Sequence, residues 1–187
     1  KLEGNNPGGS VKDRPAYNMI KSGLERGDFT KETKLIEATS GNTGIGLAMI
    51  AGIFGLDIEL VMPENSTKER VQTMKAYGAK VTLTPADVGI EGARDYAEDK
   101  VKKEGFQMLN QFSNDDNWKA HYKTTGPEIC GQYDMYRDKP DVFILGTGTG
   151  GTLMGTGKYI KTRWPDIKIV AVEPAESPVM SGGEQGL

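Results

Sequence analysis

Short apolar runs rich in β-branched residues alternate along the chain with longer stretches that have the spacing of helices. The runs predict six strands, at residues 34–38, 57–62, 80–84, 107–110, 141–146 and 167–173. Strands separated by helix-length crossovers favour mostly parallel sheets that are flanked by helices on both faces. The pattern therefore predicts an α/β fold, in which ligands gather at the carboxyl ends of the strands.

The composition narrows the range of partners. The chain of 187 residues has a formal net charge of −3, without the basic excess that nucleic-acid binding requires. A single cysteine, Cys130, cannot form an internal disulfide, and with a single histidine, His121, it leaves too few ligands for a typical zinc site. No apolar run is long enough to span a bilayer. We expect a cytoplasmic protein with small-molecule partners, no bound metal and no membrane contact.

A loop with the features of an anion site follows the first predicted strand, at residues 39–44. The hydroxyls of Thr39, Ser40 and Thr43, together with N–H groups at the start of the next helix, can surround a carboxylate or a phosphate. Gly41 lets a ligand approach the backbone. An ordinary helix cap with glycines for the turn explains the same spacing equally well.

A second loop of this kind, at residues 146–152, reads Gly-Thr-Gly-Thr-Gly-Gly-Thr and lies between a predicted strand and a predicted helix. The same physics predicts a phosphate site. The loop also matches G-x-G-x-x-G, and Glu173 ends the next predicted strand where a ribose-binding acid would lie, so NAD binding is a competing interpretation. The many threonines favour a terminal phosphate. A tight turn without a ligand is the third possibility.

Lys12 lies where a turn-rich stretch runs into the first predicted helix. Most lysines are surface charges. A lysine near the positive end of a helix, with Arg14 close in sequence, should have a lowered pKa, which makes its amine a better nucleophile and a better base.

Three motifs in register resemble a known family. They are Asn-Pro-Gly-Gly-Ser-Val-Lys-Asp-Arg at 6–14, Thr-Ser-Gly-Asn-Thr-Gly at 39–44 and Gly-Thr-Gly-Gly-Thr at 148–152. Together they resemble the fold-type II pyridoxal-phosphate (PLP) enzymes related to the tryptophan synthase β subunit, and within that group the cysteine synthases, or O-acetylserine sulfhydrylases. The resemblance extends through nearly the whole chain.

The resemblance implies a set of site residues. Lys12 would carry PLP as a Schiff base, and Asn42 would hydrogen-bond the ring hydroxyl. The cofactor phosphate would be held by Gly148, Thr149, Gly150, Gly151 and Thr152. The α-carboxylate of the substrate would be held by Thr39, Ser40, Gly41, Thr43 and Gln111.

The implied reaction is a β-replacement that makes L-cysteine from O-acetyl-L-serine and sulfide, with the Lys12 amine moving the α-proton. The implied architecture has two domains, a smaller one at residues 6–113 and an incomplete larger one at residues 1–5 and 114–187, so that the chain would be truncated at both ends. A homodimer is expected from the same resemblance. The C-terminal peptide of serine acetyltransferase is a possible partner of the carboxylate loop.

Other functions are compatible with parts of the sequence. A cystathionine β-synthase shares these motifs, whereas a serine or threonine dehydratase is disfavoured by the match at Gln111 and at residues 121–128. An NAD-dependent oxidoreductase would use the loop of residues 146–151. A regulatory homologue without activity would bind a peptide C-terminus at residues 39–43. His121 is expected to be structural, and Cys130 is expected to be a small buried apolar residue.

Overall fold

The computed structural model describes residues 1–184, which form two compact units. The first unit comprises Lys1 to Asn114 and the second begins at Asp115, one residue after the predicted boundary. The sequence assigned residues 1–5 to the larger domain, and that assignment stays a prediction. The last three residues of the predicted larger domain, 185–187, lie outside the described residues.

The first unit contains a four-stranded sheet and four α-helices. Its strands are β1 (Leu35–Ala38), β2 (Ile58–Pro63), β3 (Lys80–Thr84) and β4 (Gln107–Met108). Its helices are α1 (Asp13–Arg26), α2 (Asn42–Phe54), α3 (Lys68–Ala76) and α4 (Gly89–Glu104). The strand order is β3-β2-β1-β4, and every pair is parallel, with Leu35 opposite both Ile58 and Gln107.

Alternating side chains of the strands fill two hydrophobic clusters, one on each face of this sheet. Leu35 and Leu60 belong to the cluster that contains α1 and α2, whereas Ile36 and Val61 belong to the cluster that contains α4. Successive side chains of a strand point to opposite faces, so a strand covered on both sides is apolar throughout. This explains why β2 is buried along its whole length.

The second unit contains three helices and a two-stranded parallel sheet. The helices are α5 (Asp115–Lys123), α6 (Thr125–Tyr136) and α7 (Gly151–Arg163), and the strands are β5 (Val142–Gly146) and β6 (Lys168–Val172). Its small core is built around Cys130, Ile160 and Ile167, so the expectation for Cys130 is confirmed. The opposite face of the strands keeps apolar side chains exposed, including Ile144 at 60% and Val172 at 49%.

All six predicted strands are present, with ends that differ by at most two residues from the prediction. The largest difference is at β4, which stops at Met108 instead of Asn110. Asn110 has a φ of 52°, a left-handed conformation that cannot continue a strand. The parallel α/β fold that the sequence predicted is confirmed.

Candidate functional site

The first candidate loop joins β1 to α2. Gly41 is the N-cap of α2, so the N-cap residue has no side chain with which to cap the helix start. The alternative of an ordinary Ser or Thr cap is therefore wrong at this position. Thr39 and Thr43 are buried, while Ser40 and Gly41 are half-buried and Asn42 is exposed at the first helical position. Because its N-cap is a glycine, α2 receives no acceptor from an N-cap side chain, and a helix start of this kind suits an anionic ligand.

Gln111 joins this loop although it lies 68 residues from Thr43 in the sequence. The Thr43 hydroxyl donates a hydrogen bond to Oε1 of Gln111 over 2.8 Å, and both side chains are buried. The bond fixes the orientation of the amide. The structure thus brings together Thr39, Ser40, Gly41, Thr43 and Gln111, which the resemblance assigned to one carboxylate site.

Lys12 is the N-cap residue of α1 and lies against α2 in the same unit. Its carbonyl oxygen is 3.1 Å from where a β-carbon on Gly46 would be, so the absence of a side chain at Gly46 permits this close packing. The Lys12 side chain is half-buried, and its amine has no hydrogen bond or ion pair within residues 1–184. The first two turns of α2 therefore position the candidate carboxylate loop and the Lys12 backbone together.

Burial lowers the pKa of the Lys12 ammonium below its ordinary value. The direction agrees with the sequence-based expectation, and the cause is burial of the amine and not the neighbouring Arg14. Arg14 is bound to Glu3 by an ion pair of 2.6 Å, and loss of water around the amine is what disfavours the charged form. An amine that is more easily deprotonated is a better nucleophile and base.

Glu37, at the carboxyl end of β1, holds the segment that carries Gln111. Its buried carboxylate accepts hydrogen bonds from the backbone N–H groups of Asn110 at 2.8 Å and Gln111 at 3.1 Å. Burial raises the pKa of Glu37, although these N–H groups act in the opposite direction. Sequence analysis missed this residue, because a glutamate within a strand has no pattern that marks it as a support for a distant loop.

Glu37→Gln is expected to lower the free energy of unfolding by about 1 kcal/mol. One of the two backbone N–H groups would face an amide NH₂ instead of an oxygen, and the removal of a buried charge offsets part of that loss. Urea denaturation measures the change. Glu25→Gln, at an exposed helical ion pair, is the matched control and should cost less than about 0.5 kcal/mol. Equal losses in the two variants would contradict the supporting role of Glu37.

The second candidate loop joins β5 to α7 in the second unit. Gly150 is the N-cap of α7 with a φ of 78°, a left-handed conformation that favours glycine. Gly148 is exposed, while Thr149 and Thr152 are half-buried and Gly151 is buried. Thr147 is bound to β6, since both its N–H and its hydroxyl donate to the carbonyl of Val172. The hydroxyls of Thr149 and Thr152 are therefore the side-chain groups of this loop that remain for a ligand.

Two residues of α5 support this loop: His121, which the sequence analysis expected to be structural, and Asn117, which it missed. Asn117 Nδ2 donates to Thr149 Oγ1 over 2.9 Å, and His121 Nε2 lies 3.2 Å from Thr152 Oγ1. Both side chains are buried, His121 completely. Their spacing of four residues places them on one face of a helix, which is the only indication that the sequence contained.

The NAD interpretation requires Glu173 to be available for a ribose. Its carboxylate instead accepts hydrogen bonds from the backbone N–H groups of Met180 and Ser181 and from the Ser181 hydroxyl. Glu173 thus caps a short turn that follows β6. This arrangement disfavours dinucleotide binding by this loop.

Within residues 1–184, no group of three or more His, Cys, Asp or Glu side chains is arranged to hold a metal ion. No helix of the same residues is long and apolar enough to cross a membrane.

Comparison with known proteins identifies the family that this chain matches. A family model described as "Pyridoxal-phosphate dependent enzyme" matches residues 1–186. Cysteine synthase B of Pseudomonas aeruginosa is 50% identical over 183 residues, which cover 97% of this chain and 60% of that protein. The chain spans about three fifths of the length of the curated relatives that it matches.

Solved structures agree with this assignment. A hydrogen sulfide-producing enzyme from Fusobacterium nucleatum has a TM-score of 0.89 and 47% identity, covering 100% of this chain and 62% of that chain. A cysteine synthase from Entamoeba histolytica has a TM-score of 0.92 and 36% identity, covering 100% of this chain and 55% of that chain. The resemblance on which the three motifs agreed is confirmed, and the chain belongs to the family of pyridoxal-phosphate-dependent enzymes.

Proposed function

We propose that the protein containing this chain uses PLP to make L-cysteine from O-acetyl-L-serine and sulfide. The observation that carries the proposal is the first loop, where the buried Thr43–Gln111 pair and an uncapped helix start form a carboxylate site on the helix that packs against Lys12. An amino-acid substrate needs such a site beside a reactive amine. The relatives whose names include cysteine synthase support the same reaction.

The residues of the chain fit the cofactor. The Lys12 amine is half-buried, has a lowered pKa and has no partner within residues 1–184, so it can bind an aldehyde. In the second loop, a β-carbon at Gly146 or Gly148 would meet no atom within 4 Å, which leaves room for a phosphate against the backbone. Asn42, exposed at the start of α2, would hydrogen-bond the ring hydroxyl.

We assign the cofactor phosphate to Gly148, Thr149, Gly150, Gly151 and Thr152, whose N–H groups and hydroxyls are donors. When bound, PLP supplies an electron sink that stabilises the negative charge at the substrate Cα. Thr39, Ser40, Gly41, Thr43 and Gln111 would bind the α-carboxylate and orient the substrate. Each of these roles is a proposal that depends on the motif match.

Lys12 would act as the base of the reaction. Its Nζ would take the proton from the substrate Cα, acetate would leave from Cβ, and sulfide would form the new C–S bond at Cβ. Lys12 would then return a proton to Cα. The carbon–oxygen bond is replaced by a carbon–sulfur bond without a change in redox state, so no nicotinamide is required.

The same proposal includes the location and the macromolecular partners. A buried, unpaired Cys130 is compatible with a reducing cytoplasm. We propose a homodimer, in line with the family. The donors that bind an amino-acid carboxylate also suit a peptide C-terminus, which supports binding of the C-terminal peptide of serine acetyltransferase at residues 39–43.

The test is a product assay on the purified protein with O-acetylserine and sulfide, with PLP added or omitted. Cysteine that forms only with PLP is the expected result. A second reaction replaces sulfide with homocysteine, and faster formation of cystathionine would favour a cystathionine β-synthase instead. Peptide binding without turnover of either substrate would favour the regulatory alternative, and NAD binding without PLP binding would favour the oxidoreductase.

A further inference from the structure

Side chains of α5 form hydrogen bonds with the phosphate loop, residues 146–152. Which partner donates in each bond determines whether the loop hydroxyls can donate to a ligand. Asn117 and His121 lie one helical turn apart on α5, and each contacts one of the two loop threonines that remain for a ligand. At Thr149 the direction is clear, because the amide Nδ2 of Asn117 is a donor and Thr149 Oγ1 is the acceptor.

Thr149 Oγ1 has a second donor. The backbone N–H of Gly151 lies 3.4 Å from the same oxygen. A hydroxyl has two lone pairs and one proton. With both lone pairs engaged, the Thr149 hydroxyl can make a further hydrogen bond only as a donor.

At Thr152 the direction depends on the tautomer of His121. The ring is completely buried, with Nδ1 2.8 Å from the Thr125 hydroxyl and Nε2 3.2 Å from the Thr152 hydroxyl. A neutral imidazole has one N–H donor and one acceptor. If Nε2 carries the proton, Thr125 donates to Nδ1 and Thr152 accepts, which leaves the Thr152 proton for a ligand. If Nδ1 carries it, Thr152 must donate to the ring and cannot donate to an anion.

We propose that α5 sets both threonine hydroxyls as donors, with His121 in the Nε2–H tautomer and Asn117 as the equivalent support at Thr149. Both residues are positioning residues that act through the threonines. Both threonine hydroxyls then act as donors to the ligand of the loop, which favours an anion with several acceptor oxygens, such as a phosphate monoester. The inference deepens the proposed function and rests on it for the identity of the anion as the PLP phosphate.

The first test is independent of activity. Nitrogen-15 labelling of histidine, followed by long-range proton–nitrogen correlation NMR, reports which ring nitrogen carries the proton. The chain contains one histidine, and the loss of its resonances in His121→Asn completes the assignment. A proton on Nε2 is expected. A proton on Nδ1 would overturn the inference, whether or not the protein makes cysteine.

The second test compares the dissociation constants of PLP and pyridoxal, which lacks the phosphate. His121→Asn keeps a polar group near the position of Nδ1 and removes the one at Nε2. Binding of PLP should therefore weaken about tenfold, the effect of one hydrogen bond to a charged group. Binding of pyridoxal should stay unchanged. His121→Gln can still donate near the position of Nε2 and should bind PLP within about twofold of the wild type.

A double variant separates positioning from general structural damage. If His121 acts through Thr152, His121→Asn should cause no further loss of PLP affinity in a Thr152→Val background. Additive losses would overturn the inference. A wild-type protein that binds PLP no more tightly than pyridoxal would contradict the proposed phosphate site itself. If the wild type and His121→Asn prefer PLP over pyridoxal by the same factor, only the role of His121 is contradicted.

Discussion

Lys12→Ala is expected to abolish the visible absorbance band that PLP produces in the wild-type protein and to lower the rate of cysteine formation by at least about a thousandfold. The variant lacks both the amine that would attach the cofactor and the base that would move the α-proton, and a positioned base alone contributes about 10²- to 10⁴-fold. Absorbance spectra before and after O-acetylserine, together with the product assay, measure the two effects separately.

Lys12→Arg is the conservative partner of this variant and should be equally inactive, because a guanidinium in a protein cannot be deprotonated. Lys31→Ala removes an exposed lysine and should leave both readouts unchanged. Added ethylamine should restore part of the rate to Lys12→Ala, whose truncated side chain leaves room for it, and none to Lys12→Arg. A Lys12→Ala protein with the wild-type band would exclude Lys12 as the attachment point.

The stability of the Lys12 variant provides a further control. Because burial lowers the pKa of Lys12 in the folded protein, the charged amine destabilises the fold, and this penalty is greatest at pH values below the folded pKa and disappears above the unfolded pKa. Removing the amine at neutral pH should therefore not lower the free energy of unfolding. A loss of activity without a loss of stability indicates a chemical role.

Gly155→Ala is expected to destabilise the second unit by about 3 kcal/mol or more, the upper range for overpacking. Gly155 lies in α7 where α5 crosses it. A methyl group there would overlap the carbonyl oxygen of Trp118 and would lie 2.8 Å from His121 Cβ and 2.9 Å from the Tyr122 backbone nitrogen. Backbone atoms cannot move aside as a flexible side chain can, so the two helices must separate. The His121–Thr152 contact should be lost with them.

Gly157→Ala is the matched control, two residues further along the same helix. The nearest atom to a methyl group at Gly157 is Ile169 Cγ2 at 3.5 Å, an ordinary contact. Alanine is the better helix former by about 1 kcal/mol, so this variant should be slightly more stable than the wild type. Both tryptophans, Trp118 and Trp164, lie in the second unit, so denaturation followed by tryptophan fluorescence reports that unit. Similar effects of the two substitutions would contradict the close approach of α5 and α7.

Local sequence patterns were sufficient to predict the strands and the parallel α/β class of the fold. Apolar runs bounded by glycine and polar residues predicted all six strands, because a parallel strand that is covered on both faces must be apolar along its length. The two candidate loops were also predictable, since hydroxyls and glycines between a strand and a helix are typical of an anion site. The position of Lys12 at the start of a helix predicted a lowered pKa, but its role as the PLP lysine was assigned through the family resemblance. Gln111 was also assigned through the resemblance, because its local sequence does not distinguish it from an ordinary surface residue.

The supporting residues were decided by the tertiary structure. The carboxylate of Glu37 binds the backbone of Asn110 and Gln111, which lie 73 and 74 positions further along the chain. Asn117 binds Thr149, which lies 32 positions away. Nothing in the sequence around Glu37, Asn117 or His121 indicates these partners. The sequence by itself determined the strands, the helices and the chemical groups of the loops, which depend on neighbours in the chain. Which buried donor meets which acceptor depends on how the elements pack, and only the tertiary structure decided it.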